Sequence, residues 1–111
     1  MVDLARRKFS TLTEPMFYLL MALDRGDKCG IEINNYISRK SEGRVDLGPG
    51  TLYTLLSEFE AENVITYVGM DGKRKIYSIT DYGKALYIAE YKRLKQCIFD
   101  AEREDENEQI G

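Results

Sequence analysis

The chain has 111 residues, of which 43% are hydrophobic and 32% charged, a mixture typical of one soluble globular domain with a modest core. It contains no histidine, which removes the commonest general base and the commonest zinc ligand. No glycine-rich phosphate-binding fingerprint occurs either. We therefore expect that the chain is not an enzyme and that it holds no metal and no cofactor.

The net charge of −3 is unevenly distributed along the chain. Residues 1–80 balance 11 Lys and Arg with 11 Asp and Glu, whereas residues 81–111 hold 5 and 8. Local basic clusters can therefore still attract a polyanion. Residues 1–12 are expected to form a flexible basic arm containing Arg6, Arg7 and Lys8, and residues 104–111 an acidic tail.

The cysteines and the apolar segments indicate in which cellular compartment the protein is expected. Cys29 and Cys97 are far apart and belong to no C-x-x-C pattern, which favours a reduced, cytoplasmic setting. The longest apolar stretch, "PMFYLLMAL" at 15–23, is too short to cross a bilayer, and no secretory leader is recognisable. We expect no membrane partner.

Two helices are predicted first. Thr13 can cap the first helix and Pro15 is tolerated in its first turn, while Gly26 ends it. This helix is apolar on nearly all sides, so it should be central or shared with a partner chain. A second helix is predicted from Gly30 to about Lys40.

The third helix begins at "GPGTLY", residues 48–53. Gly48 can serve as the cap and Pro49 as the first helical residue, where its missing N–H costs nothing. An apolar stripe at helical spacing predicts the buried face: Leu52, Leu55, Leu56 and Phe59. Asn63 occupies the position where a left-handed residue would end the helix.

After Asn63 the residue composition is typical of β-strands, and a last helix follows. "VITYV" and "KIYSI" flank an Asp-Gly turn signal, which predicts a β-hairpin. Thr80 can cap a final helix over residues 81–103. Its apolar residues at spacings of 4, 3 and 4 form a seam that suits a second copy of the chain, with packing on its own domain as the alternative: Tyr87, Tyr91, Leu94 and Ile98.

This order of elements predicts a mainly α fold with a small β-hairpin: a winged helix-turn-helix over residues 13–80, followed by a dimerisation helix. In such a fold the N-terminal residues of the second helix of the motif reach into the DNA major groove. The expected contacts to double-stranded DNA are Gly50, Thr51, Tyr53 and Thr54 on this helix and Lys73, Arg74 and Lys75 on the hairpin, or wing. A basic stripe on the surface that joins Lys73 and Arg74 to Lys40 and Arg44 would favour DNA as the partner. The alternatives are that Tyr53 only packs against its own domain and that the hairpin cations only face solvent.

Several segments resemble the PadR family of bacterial transcriptional regulators: "LTEPMFYLLMAL", "CGIEI", "LGPGTLYTLLSEFEAENVI" and "GKRKIYSITDYGK". The resemblance covers roughly residues 10–100 and is closest to the compact subgroup with one helix after the wing. It implies a homodimer that binds a palindromic operator, in most members as a repressor. It also implies that Thr51, Tyr53, Lys73 and Arg74 contact DNA.

Some members of that family respond to phenolic acids or hydrophobic drugs. The resemblance and the apolar side chains of the first and last helices together suggest an aromatic effector site lined by Phe17, Met21, Tyr87 and Tyr91. The alternative is that these side chains only fill the dimer interface. The chain departs from the common pattern at Cys29-Gly30-Ile31, and it has no tryptophan. The alternative function is a winged-helix module that binds proteins or small molecules without binding DNA.

Overall fold

The computed structural model describes the backbone of residues 11–110 and the side chains of residues 11–105, so the predicted basic arm lies almost wholly outside the described residues. Seven elements follow one another: α1 (Glu14–Asp24), β1 (Lys28–Cys29), α2 (Gly30–Lys40), α3 (Pro49–Ala61), β2 (Ile65–Asp71), β3 (Arg74–Ile79) and α4 (Asp81–Ile110). The predicted mainly α architecture with a hairpin wing is confirmed. No helix of this described part is long and apolar enough to cross a membrane.

The ends of α1 are fixed by side chains as well as by backbone. Thr13 Oγ1 accepts the Met16 N–H at 3.3 Å, and Gly26 leaves the helix with φ of 143°. The Lys28 ammonium donates to the carbonyl oxygens of Ala22 at 2.6 Å and Gly26 at 3.2 Å, which satisfies groups that the helix end leaves open. Partial burial there lowers the pKa of Lys28.

The start and end of α3 are as predicted. Gly48 is the N-cap in an extended conformation, Pro49 is the first helical residue, and Asn63 adopts a left-handed φ of 60° just beyond the helix. The apolar stripe Leu52, Leu55, Leu56 and Phe59 is buried. It packs with side chains of α1 and α2 in one core that includes Leu19, Leu20, Leu23, Ile33 and Ile37.

The sheet has three antiparallel strands in the order β1-β3-β2, with one more strand than the sequence analysis predicted. β1 is only two residues long, and it pairs Lys28 with Tyr77 and Cys29 with Ile76. So short a strand carries no alternating pattern, which is why periodicity missed it. Its pairing places the start of α2 beside the hairpin.

The last helix, α4, is longer than predicted. It continues to Ile110 rather than ending near residue 103, so the segment expected to be an acidic tail is helical up to Ile110. Ala, Glu, Arg and Gln are all good helix formers, and an acidic composition does not end a helix. At 1.5 Å per residue, α4 is roughly 45 Å long.

The start of α4 is fastened to the end of α3 and the beginning of the hairpin. Thr80 Oγ1 accepts the Gly83 N–H at 2.9 Å and lies 2.7 Å from the Asn63 carbonyl oxygen. The Thr80 N–H donates to the Val64 carbonyl at 3.1 Å. Thr80 therefore caps α4, as predicted, and also joins it to the loop that leads into β2.

A buried carboxylate fastens α4 to the segment before α1. Glu90 is only 3% exposed, and its Oε2 accepts the Leu12 N–H at 2.8 Å. Arg93 donates to the same carboxylate at 2.6 Å and 2.9 Å. The hydrogen bonds from Arg93 are the main reason that the pKa of Glu90 lies below its ordinary value, so the group stays ionised and paired at neutral pH.

Gly83 provides a direct test of the junction at Thr80. A Cβ on Gly83 would lie 2.1 Å from the Val64 carbonyl oxygen and 3.0 Å from Ile79 Cγ1. Gly83→Ala must therefore push α4 away from the loop, and we expect a loss of about 1–3 kcal/mol in the free energy of unfolding by urea denaturation. Gly50→Ala is the matched control, because nothing lies within 4 Å of its Cβ position. Equal stabilities of the two variants would contradict this packing.

Candidate nucleic-acid interface

The first turn of α3 faces outward. Gly50, Thr51, Tyr53 and Thr54 are all exposed, whereas the apolar stripe of the same helix is buried. A Cβ built on Gly50 would meet nothing within 4 Å, so the backbone here is open to a close approach by a ligand. Gly50, Thr51 and Thr54 line one shallow groove of α3, whereas Tyr53 lies on the side of the helix toward α2 and the hairpin.

Tyr53 has a defined position on this surface. Its ring lies over Gly30, the first residue of α2, so closely that a Cβ on Gly30 would be 2.9 Å from Tyr53 Oη. The tyrosine nevertheless remains 51% exposed. The two alternatives for Tyr53, packing and surface contact, are therefore compatible: one side of the ring packs on α2 while much of the side chain faces solvent.

A groove of about 400 Å³ joins the outer face of α3 to the hairpin. It lies between the start of α2, the exposed side of α3 and the turn that connects β2 to β3. The side chains that line it include Ile31, Tyr53, Ser57, Lys73, Arg74 and Lys75. The predicted residues of the hairpin and Tyr53 of α3 therefore share one concave surface.

The hairpin makes this groove basic. Lys73, Arg74 and Lys75 are exposed, and none of them forms an ion pair with a residue of the described chain. Lys75 lies 5.9 Å from the centre of the Tyr67 ring. The positive charge at the tip of the hairpin is thus available to an anionic partner.

Two carboxylates lie on or near the wing: Asp71 is exposed and stands opposite Arg74 in the hairpin register, whereas Glu32 is already engaged. Glu32 accepts the Cys29 N–H at 3.0 Å, and this hydrogen bond is the main reason that the pKa of Glu32 is lowered, with smaller contributions from Lys28 and Arg74.

Within the described chain no group of three or more cysteine or acidic side chains is placed to hold a metal ion.

Arg44 does not extend the basic stripe in the way we expected. Its guanidinium pairs with the Glu14 carboxylate at 2.7 Å and donates to the Tyr18 hydroxyl at 3.0 Å. These contacts hold the turn after α2 against α1. The local charge of Arg44 is therefore largely balanced, and the cations that line the groove beside α3 are those of the hairpin.

The predicted dimer seam divides into two kinds of residue. Tyr87 and Leu94 are partly buried, and the Tyr87 ring packs on the Phe17 ring of α1 with a centroid separation of 5.1 Å. Burial is the main reason that the pKa of Tyr87 is raised. Tyr91 and Ile98 are 48% and 59% exposed, respectively, and contribute to an uncovered apolar surface on α4.

The residues predicted for an effector site are only partly brought together. Phe17 and Tyr87 contact each other, and Met21 is partly buried on α1. Tyr91 lines a separate groove of about 390 Å³ together with Lys92, Lys95, Gln96 and Phe99. In the single chain the aromatic rings of α1 and α4 thus fill space against each other, and Tyr91 faces outward.

Five residues that line the groove beside the hairpin were not among the predicted site residues: Cys29, Gly30, Ile31, Ser57 and Tyr77. Ser57 lines the groove one turn beyond Tyr53 and Thr54, and helical spacing alone could have indicated it. Gly30 and Ile31 also line the groove, but only the pairing of β1 with β3 brings them there. No signal within their own segment indicates that position.

Comparisons with known proteins agree with this geometry. Residues 19–89 match the transcriptional regulator PadR-like family. A transcriptional regulator from Clostridium thermocellum is 24% identical with a TM-score of 0.69, over 79% of this chain and 89% of that one. A PadR family regulator from Clostridium difficile is 21% identical with a TM-score of 0.60, over 89% of this chain and all of that one.

Bacillus subtilis PadR, solved in complex with operator DNA, is 22% identical with a TM-score of 0.61, over 76% of this chain and 48% of that one. At these identities the solved structures establish a shared winged-helix fold. The family match extends from α1 into α4 and includes both the outward-facing α3 and the hairpin. Its members are regulators of transcription, which confirms the prediction that the chain is not an enzyme. The chain belongs to the PadR-like family of transcriptional regulators.

Proposed function

We propose that this chain is a sequence-specific DNA-binding regulator that acts as a homodimer on a palindromic operator, most simply as a repressor in the cytoplasm. The observation that carries the proposal is the groove in which Tyr53 and Ser57, on the exposed face of α3, meet the three cations of the hairpin. An exposed helix start suits the major groove, and adjacent cations suit the phosphates or minor groove beside it.

Several features support DNA as the partner. The B. subtilis relative with the same fold was solved with operator DNA. Although the net charge is −3, the acidic excess lies in residues 81–111, C-terminal to the hairpin in the sequence. Lys73, Arg74 and Lys75 also line one face together with the hydroxyls of Tyr53 and Ser57, all of which can donate to phosphate oxygens.

The exposed side of α4 supports a homodimer. Four large apolar side chains of this helix are 43–59% exposed: Ile88, Tyr91, Ile98 and Phe99. The last three lie on a part of α4 that has little of its own domain to pack against, since the buried residues among those described in this helix are Gly83, Leu86 and Glu90, near its start. A second copy of α4 would cover them, and two-fold symmetry would then place two α3 helices on successive major grooves.

The same proposal includes an aromatic effector near the dimer axis. Phe17, Met21, Tyr87 and Tyr91 lie on α1 and α4, the helices that the dimer would bring together. The contact between Phe17 and Tyr87 is the part of this site that a single chain already forms. A planar ligand that inserts beside it would alter how the two chains pack and hence the spacing of the two α3 helices.

The wing is tested by the salt dependence of binding to DNA from upstream of the chain's own gene. We expect Lys73→Ala with Arg74→Ala to weaken binding to all sequences alike. In a dimer the pair should lower the slope of log affinity against log salt by about 2–4, because each lost phosphate contact accounts for nearly one counterion. Fluorescence anisotropy at several salt concentrations measures this slope.

The matched control removes two cations from α4 instead, with Lys92→Ala and Lys95→Ala. The slope should then stay close to that of the wild type, because these lysines line a different groove. A wing variant with an unchanged slope would show that the hairpin does not contact DNA. If the wild type binds no DNA in a saturable way, a module without DNA binding becomes the better account.

The dimer is tested by placing charge on the seam. Leu94→Asp with Ile98→Asp would bury two unpaired carboxylates per chain, which an apolar interface does not tolerate. We expect a folded monomer by analytical ultracentrifugation and loss of specific DNA binding, because each half-site then binds alone. The control places the same charges at Ala85 and Ala89, exposed positions of α4 that line neither the seam nor the groove of Tyr91 and Phe99, and should remain dimeric. A seam variant that stays dimeric and binds normally would place the interface elsewhere.

A further inference from the structure

The exposed start of α3 lacks the side chains that usually read guanine. Residues 49–61, the whole of α3, contain no Arg, Lys, Asn or Gln. Bidentate Arg or Lys contacts are the common means of reading guanine in the major groove, and Asn or Gln that of reading adenine. The acidic residues of α3, Glu58 and Glu60, lie in its C-terminal half, beyond the first turn. This helix must therefore discriminate bases by other contacts.

The exposed side chains near the start of α3 carry methyl groups, an aromatic ring and hydroxyls instead. Thr51 and Thr54 are exposed and each carries a methyl group, and the half-exposed Tyr53 lies between them in the chain. Such apolar groups contact the C5-methyl of thymine, which the other bases lack. Gly50 adds no bulk in front of them, so the methyl groups can approach the floor of the groove.

The neighbouring residues of α2 have the same character. A cleft of about 240 Å³ with both apolar and amide side chains lies beside the first turn, and Ile31, Asn35, Pro49 and Tyr53 are among the residues that line it. Ile31 is 48% exposed although it is a large aliphatic residue. Asn35 is exposed too, and its amide suits adenine, whereas the amide oxygen of Asn34 accepts the Leu47 N–H.

The wing carries cations suited to a narrow minor groove. Lys73 and Arg74 extend from the turn of the hairpin and form no ion pair with a described residue. Narrow minor grooves have an enhanced negative potential that attracts Lys and Arg, and they occur in A·T-rich tracts. The two parts of the surface, α3 and the wing, thus favour the same kind of base pair for different reasons.

We infer that the operator half-sites are A·T-rich and are read through thymine methyl groups by Thr51, Thr54 and Ile31, and through minor-groove shape by the wing. The inference rests on the proposed function, because it specifies the DNA that the same surface binds. It differs from that function in a testable way, since a regulator could equally bind a G·C-rich operator.

The experiment begins with selection of bound sequences from random duplex DNA by the full-length protein. The expected half-sites contain A·T pairs at the positions that face α3. Each thymine is then replaced by deoxyuridine, which removes only the C5-methyl group. We expect a loss of affinity of about fourfold for each methyl group in contact, the fold-change that corresponds to burying one methylene-sized group. Replacing A·T by inosine·cytosine keeps the minor-groove pattern and should cost affinity only at major-groove positions.

Matched protein variants identify the side chain that contacts each methyl group. Thr→Ser at position 51 or 54 removes the methyl group and keeps the hydroxyl, whereas Thr→Val does the reverse. We expect at least one Ser variant to bind thymine DNA about fourfold more weakly than the wild type does. On the matching deoxyuridine DNA the same variant and the wild type should bind equally well, because the methyl contact is already absent. The corresponding Val variant should keep its affinity on thymine DNA.

Two outcomes would overturn the inference while leaving the proposed function in place. One is a selected site whose α3-facing positions are G·C pairs. The other is specific binding that neither deoxyuridine nor the Ser variants weaken. Failure of the proposed function would look different, because selection would then enrich no sequence and binding would not saturate on any duplex.

Discussion

The buried stripe of α3 is the constraint on which the surface depends. Leu52, Leu55, Leu56 and Phe59 must all leave water together, and burying each such side chain contributes roughly 1.5–3 kcal/mol relative to exposure. Because they occupy one side of the helix, the rotation of α3 about its axis is fixed. Gly50, Tyr53, Thr54 and Ser57 then face outward as a consequence, without any contact of their own having to hold them there.

The second constraint is the close junction between Gly83 and Val64. It fixes α4 relative to the end of α3, and Thr80 fixes the base of the hairpin at the same place. The elements α3, the hairpin and α4 thus meet at one point. They are the elements proposed to read bases, to contact phosphates and to form the dimer, respectively. In the proposed dimer, a change in how the two α4 helices pack would therefore alter the position of the wing and of α3.

Local signals in the sequence predicted most of this fold. The caps at Thr13, Gly48 and Thr80 and the left-handed Asn63 were all readable, since each depends on the chemistry of one or two residues. Features that depend on pairing between residues distant in the sequence could not be predicted from it. β1 is defined only by its partner β3, and it is this pairing that brings Gly30 and Ile31 to the groove. The ion pair of Arg44 with Glu14 is likewise a tertiary contact between residues distant in the chain.

The measurement that tests the central claim most directly is DNA binding by Gly50→Leu. Gly50 has an ordinary helical conformation with open space at its Cβ, so the variant should melt like the wild type. Its side chain would nevertheless stand where the helix approaches the base pairs, and we expect operator affinity to fall by roughly tenfold or more, as for a mismatched base pair. Gly50→Ala should lose far less. A folded Gly50→Leu protein with wild-type affinity would contradict the assignment of α3 as the DNA-reading helix.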